Sequence, residues 1–112
     1  MNLEVRSKCW VEADGELVLS DWRVDLLEAV DELGSLAAAA ERLNVAYRVA
    51  WGKIKEIEKR LGYPLLEGHS GGSGGGGTRL TPAGRDLIVR YNRFRAGLAD
   101  LIADRFAEVF EQ

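Results

Sequence analysis

Residues 35–81 read "SLAAAAERLNVAYRVAWGKIKEIEKRLGYPLLEGHSGGSGGGGTRLT", and the order of parts in this stretch decides the fold. Ser35 is a good N-cap for "LAAAAERL", a short helix whose alanines let another helix backbone come close. Asn44 and Val45 leave only a short connection before the next helical pattern, as in two helices joined by a tight turn with Val45 plugging the corner. That next helix spans about 46–61. Ala50, Ile54, Ile57 and Leu61 recur at spacings of four, three and four and so share one face. Arg48, Gly52, Lys55 and Lys59 fall opposite, with Tyr47 and Trp51 at the edge.

Gly62 and Pro64 stop this helix, and "PLLE" and "TRLT" are short β-prone pieces flanking "GHSGGSGGGG". Six of the seven residues 71–77 are glycine, which removes side chains and lets backbone N–H groups approach a phosphate or enter a minor groove. A phosphate-cradling NTPase loop is not expected, because Thr78 follows the glycines where a lysine is required. A flexible glycine and serine spacer is the competing reading of the same run. A helix, a tight turn, a cationic helix and a two-stranded wing make a winged helix-turn-helix, in which the second helix fits a DNA major groove about 12 Å wide.

Upstream, "LEVRSKCWVE" is rich in strand formers, and Asp14-Gly15 before "ELVLS" signals a hairpin, so residues 1–19 are expected to form one. Cys9 is then a packed thiol on a strand, and Trp10 and Trp22 belong to the core. Ser20 caps "DWRVDLLEAVDEL", in which Trp22, Leu26, Leu27, Val30 and Leu33 make one apolar face, and Gly34 ends that helix. Downstream, Thr81-Pro82 starts a last helix that the apolar pattern carries through residues 82–111, about 45 Å at 1.5 Å per residue. Leu87, Tyr91, Phe94, Leu98 and Leu101 recur at four and three, and Ile102, Phe106, Val109 and Phe110 continue the stripe. A helix of that length needs a partner surface, and a second copy is the expected one, although a stripe of this width also suits packing on its own domain.

The chain of 112 residues is expected to be a single domain, mainly α with small β: a hairpin (1–19), three helices (20–62), a wing (63–81) and a long dimerisation helix (82–111). Its net charge of −3 is unevenly spread. Residues 1–34 carry three basic and nine acidic side chains, residues 35–81 seven and four, and residues 82–112 five and five. The only net-basic segment is therefore the one with the helix-turn-helix pattern. No apolar run is long enough to span a bilayer and no secretory leader is visible, which makes a cytoplasmic address the expectation and a membrane partner an unexpected one. A single cysteine, a single histidine and no paired catalytic groups argue against an enzyme, a metal site or a cofactor.

"SLAAAAERLNVAYRVAWGKIKEIEKRLGYPLLEG" followed by "GGSGGGGTRLTPAG" resembles the DNA-binding domain of the prokaryotic ModE family of molybdate-responsive transcription regulators, itself similar to the LysR-type helix-turn-helix. The specific parts are Gly34-Ser35, Tyr47-Arg48 with Ala50-Trp51, the glycine run, and Leu80-Thr81 with Gly84. The resemblance implies a homodimer on a palindromic double-stranded DNA operator, with the second helix of the motif in the major groove and the wing alongside. In full-length members of that family molybdate is bound by β-barrel modules after the DNA-binding domain. Residues up to Gln112 contain no such module, so molybdate sensing is not expected of this chain, and any effector or partner protein is unknown.

The expected DNA-contacting residues are Ser35, Ala46, Tyr47, Arg48, Trp51, Lys53 and Lys55 on the helices, and His69, Ser70, Gly71, Gly72 and Arg79 on the wing. Arg48 lies near the helix N-terminus where base edges are read, and Lys55 a further turn along favours phosphate. Lys59 and Arg60 are peripheral phosphate contacts or plain surface, and Trp51 either reads DNA or packs. Leu87, Tyr91, Phe94, Leu98, Leu101, Ile102 and Phe106 are the expected dimer contacts. The alternative function is a winged-helix module that binds protein or merely assembles, without reading DNA directly.

Overall fold

Asp14 and Gly15 both take positive φ, 51° and 81°, the geometry of a tight hairpin turn, and they join strand β1 (Val11–Ala13) to strand β2 (Glu16–Leu19). Residues 1–70 and 76–111 are described by the computed structural model. The two strands are antiparallel, with an irregularity between Val11 and Glu12. The strand does not extend back through residues 3–10, as the sequence pattern predicts, because β2 is too short to offer those residues a ladder partner. Trp10 is consequently 51% exposed rather than in the core, with its indole N–H donating to Glu12, and the Cys9 thiol is exposed rather than packed.

Helix α1 (Asp21–Leu33) begins where the Ser20 hydroxyl accepts the Arg23 N–H, and it ends on Gly34 at φ 73°. Helix α2 (Leu36–Arg42) begins with the same device at Ser35. Asn44, at φ 58°, uses the tolerance of asparagine for the left-handed region to turn the chain into helix α3 (Tyr47–Leu61). Leu26, Leu27 and Val30 of α1, Ala39 and Ala40 of α2, and Ala50, Ile54 and Ile57 of α3 form one buried cluster. Each fully buried leucine or isoleucine contributes about 1.5–3 kcal/mol. Trp22 is half-buried against this cluster, whereas Leu33, one turn beyond it, is left exposed.

Strands β3 (Leu66–His69) and β4 (Gly77–Leu80) form the wing, pairing Leu66 with Leu80 and His69 with Gly77. Helix α4 (Pro82–Arg95) starts under a Thr81 cap with proline in its first turn. The single helix predicted over 82–111 is in fact two. Ala96 is extended (ψ 127°) and Gly97 left-handed (φ 78°), and helix α5 (Leu98–Phe110) begins only after them. Glycine enters that region without steric penalty and is a poor helix interior residue, while the apolar stripe continues across the break and hides it. No residue of α5 is buried, and the described chain is elongated, 62 × 29 × 23 Å. No helix among the described residues is long and apolar enough to cross a membrane.

Candidate nucleic-acid interface

Helix α3 buries Ala50, Ile54 and Ile57, so helical periodicity turns Tyr47, Arg48, Trp51, Lys55 and Lys59 outward. Tyr47 and Trp51 are about half exposed. Trp51 is therefore presented at the surface, next to a groove that runs between α3 and the wing past Leu36, Lys55, Gly68 and Thr78. Arg48 is exposed and makes no ion pair or hydrogen bond among the described residues. Ala46 is the N-cap of α3 and offers no side-chain oxygen to the first turn.

The remaining expected cations are not equivalent. The Lys55 ammonium lies 3.1 Å from Glu58 and 5.6 Å from the centre of the Trp51 ring, a cation–π contact that steadies the indole. Arg79 is paired with Glu67 directly across the wing ladder at 3.1 Å. Lys53 makes no short ion pair among the described residues, but its charge acts on Glu56. Arg60, expected at the periphery of the interface, is instead structural: it reaches the Leu17 carbonyl, Glu16 at 2.9 Å and Glu56 at 2.6 Å, tying α3 to the hairpin. Arg23 is buried beneath it, with Nη2 3.4 Å from Glu56 and Nη1 without a partner among the described residues. Burial raises the Glu56 pKa, but the charges of Arg23 and Arg60 outweigh that and hold it below the usual carboxylate range.

The wing is fixed to the helices by hydrogen bonds that no local sequence pattern announces. Glu58 accepts the Leu65 N–H at 2.7 Å and so joins the recognition face to the start of the wing. Thr78 N–H donates to the Gly34 carbonyl at 2.9 Å, and Leu80 N–H to Asp31 at 3.2 Å. Asp31 also receives Arg85 at 2.8 Å; burial works against its charge, but the Leu80 and Arg85 donors prevail and lower its pKa. His69 and Ser70 are exposed at the outer end of the wing, and Ser35 is half-buried with its hydroxyl occupied as a cap. Gly71 and Gly72 lie outside the described residues.

The expected dimer contacts also divide. Tyr91 is buried in its own chain with its hydroxyl donating to Asp21 at 2.6 Å, which withdraws it from the surface, while Leu87 is partly buried against the same core. Burial, and then the bond to Asp21, push the Tyr91 phenol up to about 12. Phe94 and Leu101 are exposed, and Leu98, Ile102 and Phe106 half-exposed.

Residues 23–85, from α1 through the first turn of α4, match the family described as bacterial regulatory helix-turn-helix protein, lysR family. The chain is similar to the molybdenum-pterin-binding protein MopB of Rhodobacter capsulatus, 40% identical over 81 residues that cover 72% of this chain and 30% of that protein. It is similar also to the DNA-binding transcriptional dual regulator ModE of Escherichia coli K12, 36% identical over 70 residues covering 62% of this chain and 27% of the relative. The chain thus spans under a third of the length of these relatives. Among solved structures, the CbnR_DBD–DNA complex superposes with a TM-score of 0.58 at 32% identity, covering 78% of this chain and 93% of that one.

Proposed function

This chain belongs to the LysR-type family of bacterial regulatory helix-turn-helix proteins, and on that footing we propose that it is a sequence-specific, homodimeric, DNA-binding transcriptional regulator. The observation that carries the reading is the outward face of α3, where Arg48, unpaired among the described residues, is exposed beside two half-exposed aromatic rings, Tyr47 and Trp51, in an otherwise acidic chain. In this role α3 enters the major groove, Arg48 donates to a base edge, and Lys53 and Lys59 reach phosphates. The DNA-binding transcriptional role of the Escherichia coli relative and the DNA in the CbnR_DBD complex support it. The role is binding rather than catalysis, and it sets the protein beside the chromosome in the cytoplasm.

Self-association is the second half of the proposal, and the exposed apolar side chains of α4 and α5 support it. Phe94, Leu101, Val109 and Phe110 are each more than half exposed on α4 and α5, and a second copy is the natural cover for them. A two-fold pair would set two α3 helices about one DNA turn apart, near 34–36 Å, which requires a palindromic operator. Selection of bound sequences from a random duplex pool tests this. The expected product is a palindrome with half-sites about one turn apart, bound with an affinity that falls with salt and loses base preference in Arg48→Ala. No enrichment, or salt-independent binding, would overturn it in favour of a protein-binding module.

A further inference from the structure

Gly52 sits in the interior of α3, where glycine is less favourable than alanine, yet no contact among the described residues requires it. Its φ is helical rather than left-handed, and a Cβ built on it would meet no atom within 4 Å. Gly84, by contrast, is obligatory, because a Cβ there would lie 2.6 Å from the Leu65 carbonyl oxygen. The bare backbone of Gly52 lines a shallow depression together with Tyr47, Arg48 and Trp51, open to solvent on the outward face of α3. The Trp51 ring is steadied by Lys55, itself held by Glu58, so this wall is set before any ligand arrives. Arg48 is one helical turn before Gly52 and has no partner among the described residues.

Of the groups that base pairs present in the major groove, one is apolar, the C5-methyl of thymine, and arginine is the usual partner of guanine O6 and N7. We infer that the depression over Gly52 is a thymine-methyl subsite, read beside a guanine held by Arg48, and that Gly52 is a specificity-determining residue. The inference rests on the proposed DNA-binding function and adds to it which base feature α3 selects. A side chain at position 52 would fill the space the methyl occupies and hold the helix off the groove floor.

The test uses the whole chain and the operator enriched from the random pool, with each thymine replaced in turn by deoxyuridine, which removes only the methyl. The expected result is one sensitive position per half-site, next to a guanine, at which affinity falls about fourfold, the value of one buried methyl. In Gly52→Ala the affinity for the thymine operator falls to at least the same extent, and the uracil substitution has no further effect. The Gly52→Ala thermal midpoint stays at or above that of the parent, which separates this loss from unfolding. An operator without any methyl-sensitive position, or a Gly52→Ala protein with full methyl sensitivity, overturns the subsite while leaving DNA binding intact. Absence of any enriched operator overturns the proposed function itself.

Discussion

Gly84→Ala sets two opposing effects against each other inside one helical turn. Alanine recovers about 0.5–1 kcal/mol of helix propensity over glycine. Its methyl, however, would sit 2.6 Å from the Leu65 carbonyl oxygen, 3.2 Å from the Leu65 Cα and 3.2 Å from the Thr81 hydroxyl. None of these atoms can yield cheaply. The Leu65 carbonyl accepts the Thr81 N–H at 2.9 Å, and the Thr81 hydroxyl accepts the Gly84 N–H at 3.0 Å while donating to the Pro64 carbonyl at 2.8 Å. Overpacking of this kind costs about 1–3 kcal/mol, and a hydrogen bond weakened by the shift about 1 kcal/mol more. The balance is a net loss of about 2 kcal/mol, or roughly 8–16 °C in Tm for a domain of this size. Gly52→Ala, with no atom within 4 Å to oppose it, keeps only the propensity gain and should raise Tm by a few degrees, roughly 2–8 °C. Calorimetry of both variants at one fixed protein concentration is the assay, because self-association makes Tm concentration-dependent. A Gly84→Ala protein as stable as its parent would refute the argument that the wing root and α4 meet through a glycine-only contact.

Three carboxylates, Asp21 through its bond to Tyr91 and Asp31 and Glu56 through donors that outweigh burial, have pKa values lowered in the folded state. Their stabilisation is present above the ordinary values of 3.8 and 4.5 and lost as pH falls through the lowered ones, so Tm should drop below about pH 4, less steeply in Asp31→Asn. The opposite sign holds for Tyr91, whose raised phenol stabilises the fold up to about pH 10 and ceases to as pH climbs towards 12; ultraviolet titration should show this tyrosine ionising near 12, an absorbance step that Tyr91→Phe removes. Arg23→Met, which replaces a buried guanidinium carrying an unpartnered nitrogen with a chain of similar volume, should change stability by under about 1 kcal/mol in urea unfolding, whereas Glu56→Gln, which strands that guanidinium, should cost about 2 kcal/mol. Leu101→Asp should shift sedimentation towards the monomer without lowering helix content, since the side chain is 68% exposed in the single chain.

Local chemistry made much of the fold legible from residues alone. Ser20, Ser35 and Thr81 each cap the helix that follows, Gly34 and Gly62 end helices at φ 73° and 84°, and Asp14-Gly15 turns the hairpin. These features involve neighbours within a few positions, and so they are written into short stretches of sequence. The inward face of α3 was equally legible, because a period of 3.6 residues sorts Ala50, Ile54 and Ile57 from Arg48 and Lys59 without reference to any other element. Gly97 was not, since the apolar stripe continues past it and the single position at which the backbone turns left-handed carries no pattern of its own.

The amino-acid sequence by itself determined the order of elements from the hairpin to the start of α4, the apolar and cationic faces of α3 and the winged helix-turn-helix plan. Only the tertiary structure decided which outward charges are free. Arg79 carries the same charge as Arg48, but Glu67 on the facing strand pairs with it at 3.1 Å, and Arg60 is drawn to Glu16 of the hairpin at 2.9 Å. It also decided that Tyr91 belongs to its own core through Asp21, 70 positions away, while Phe94 and Leu101 remain uncovered. The physical reason is common to these cases. A cap or a helical face is settled by neighbours along the chain, whereas the availability of a charge or ring depends on partners that only folding brings within 4 Å.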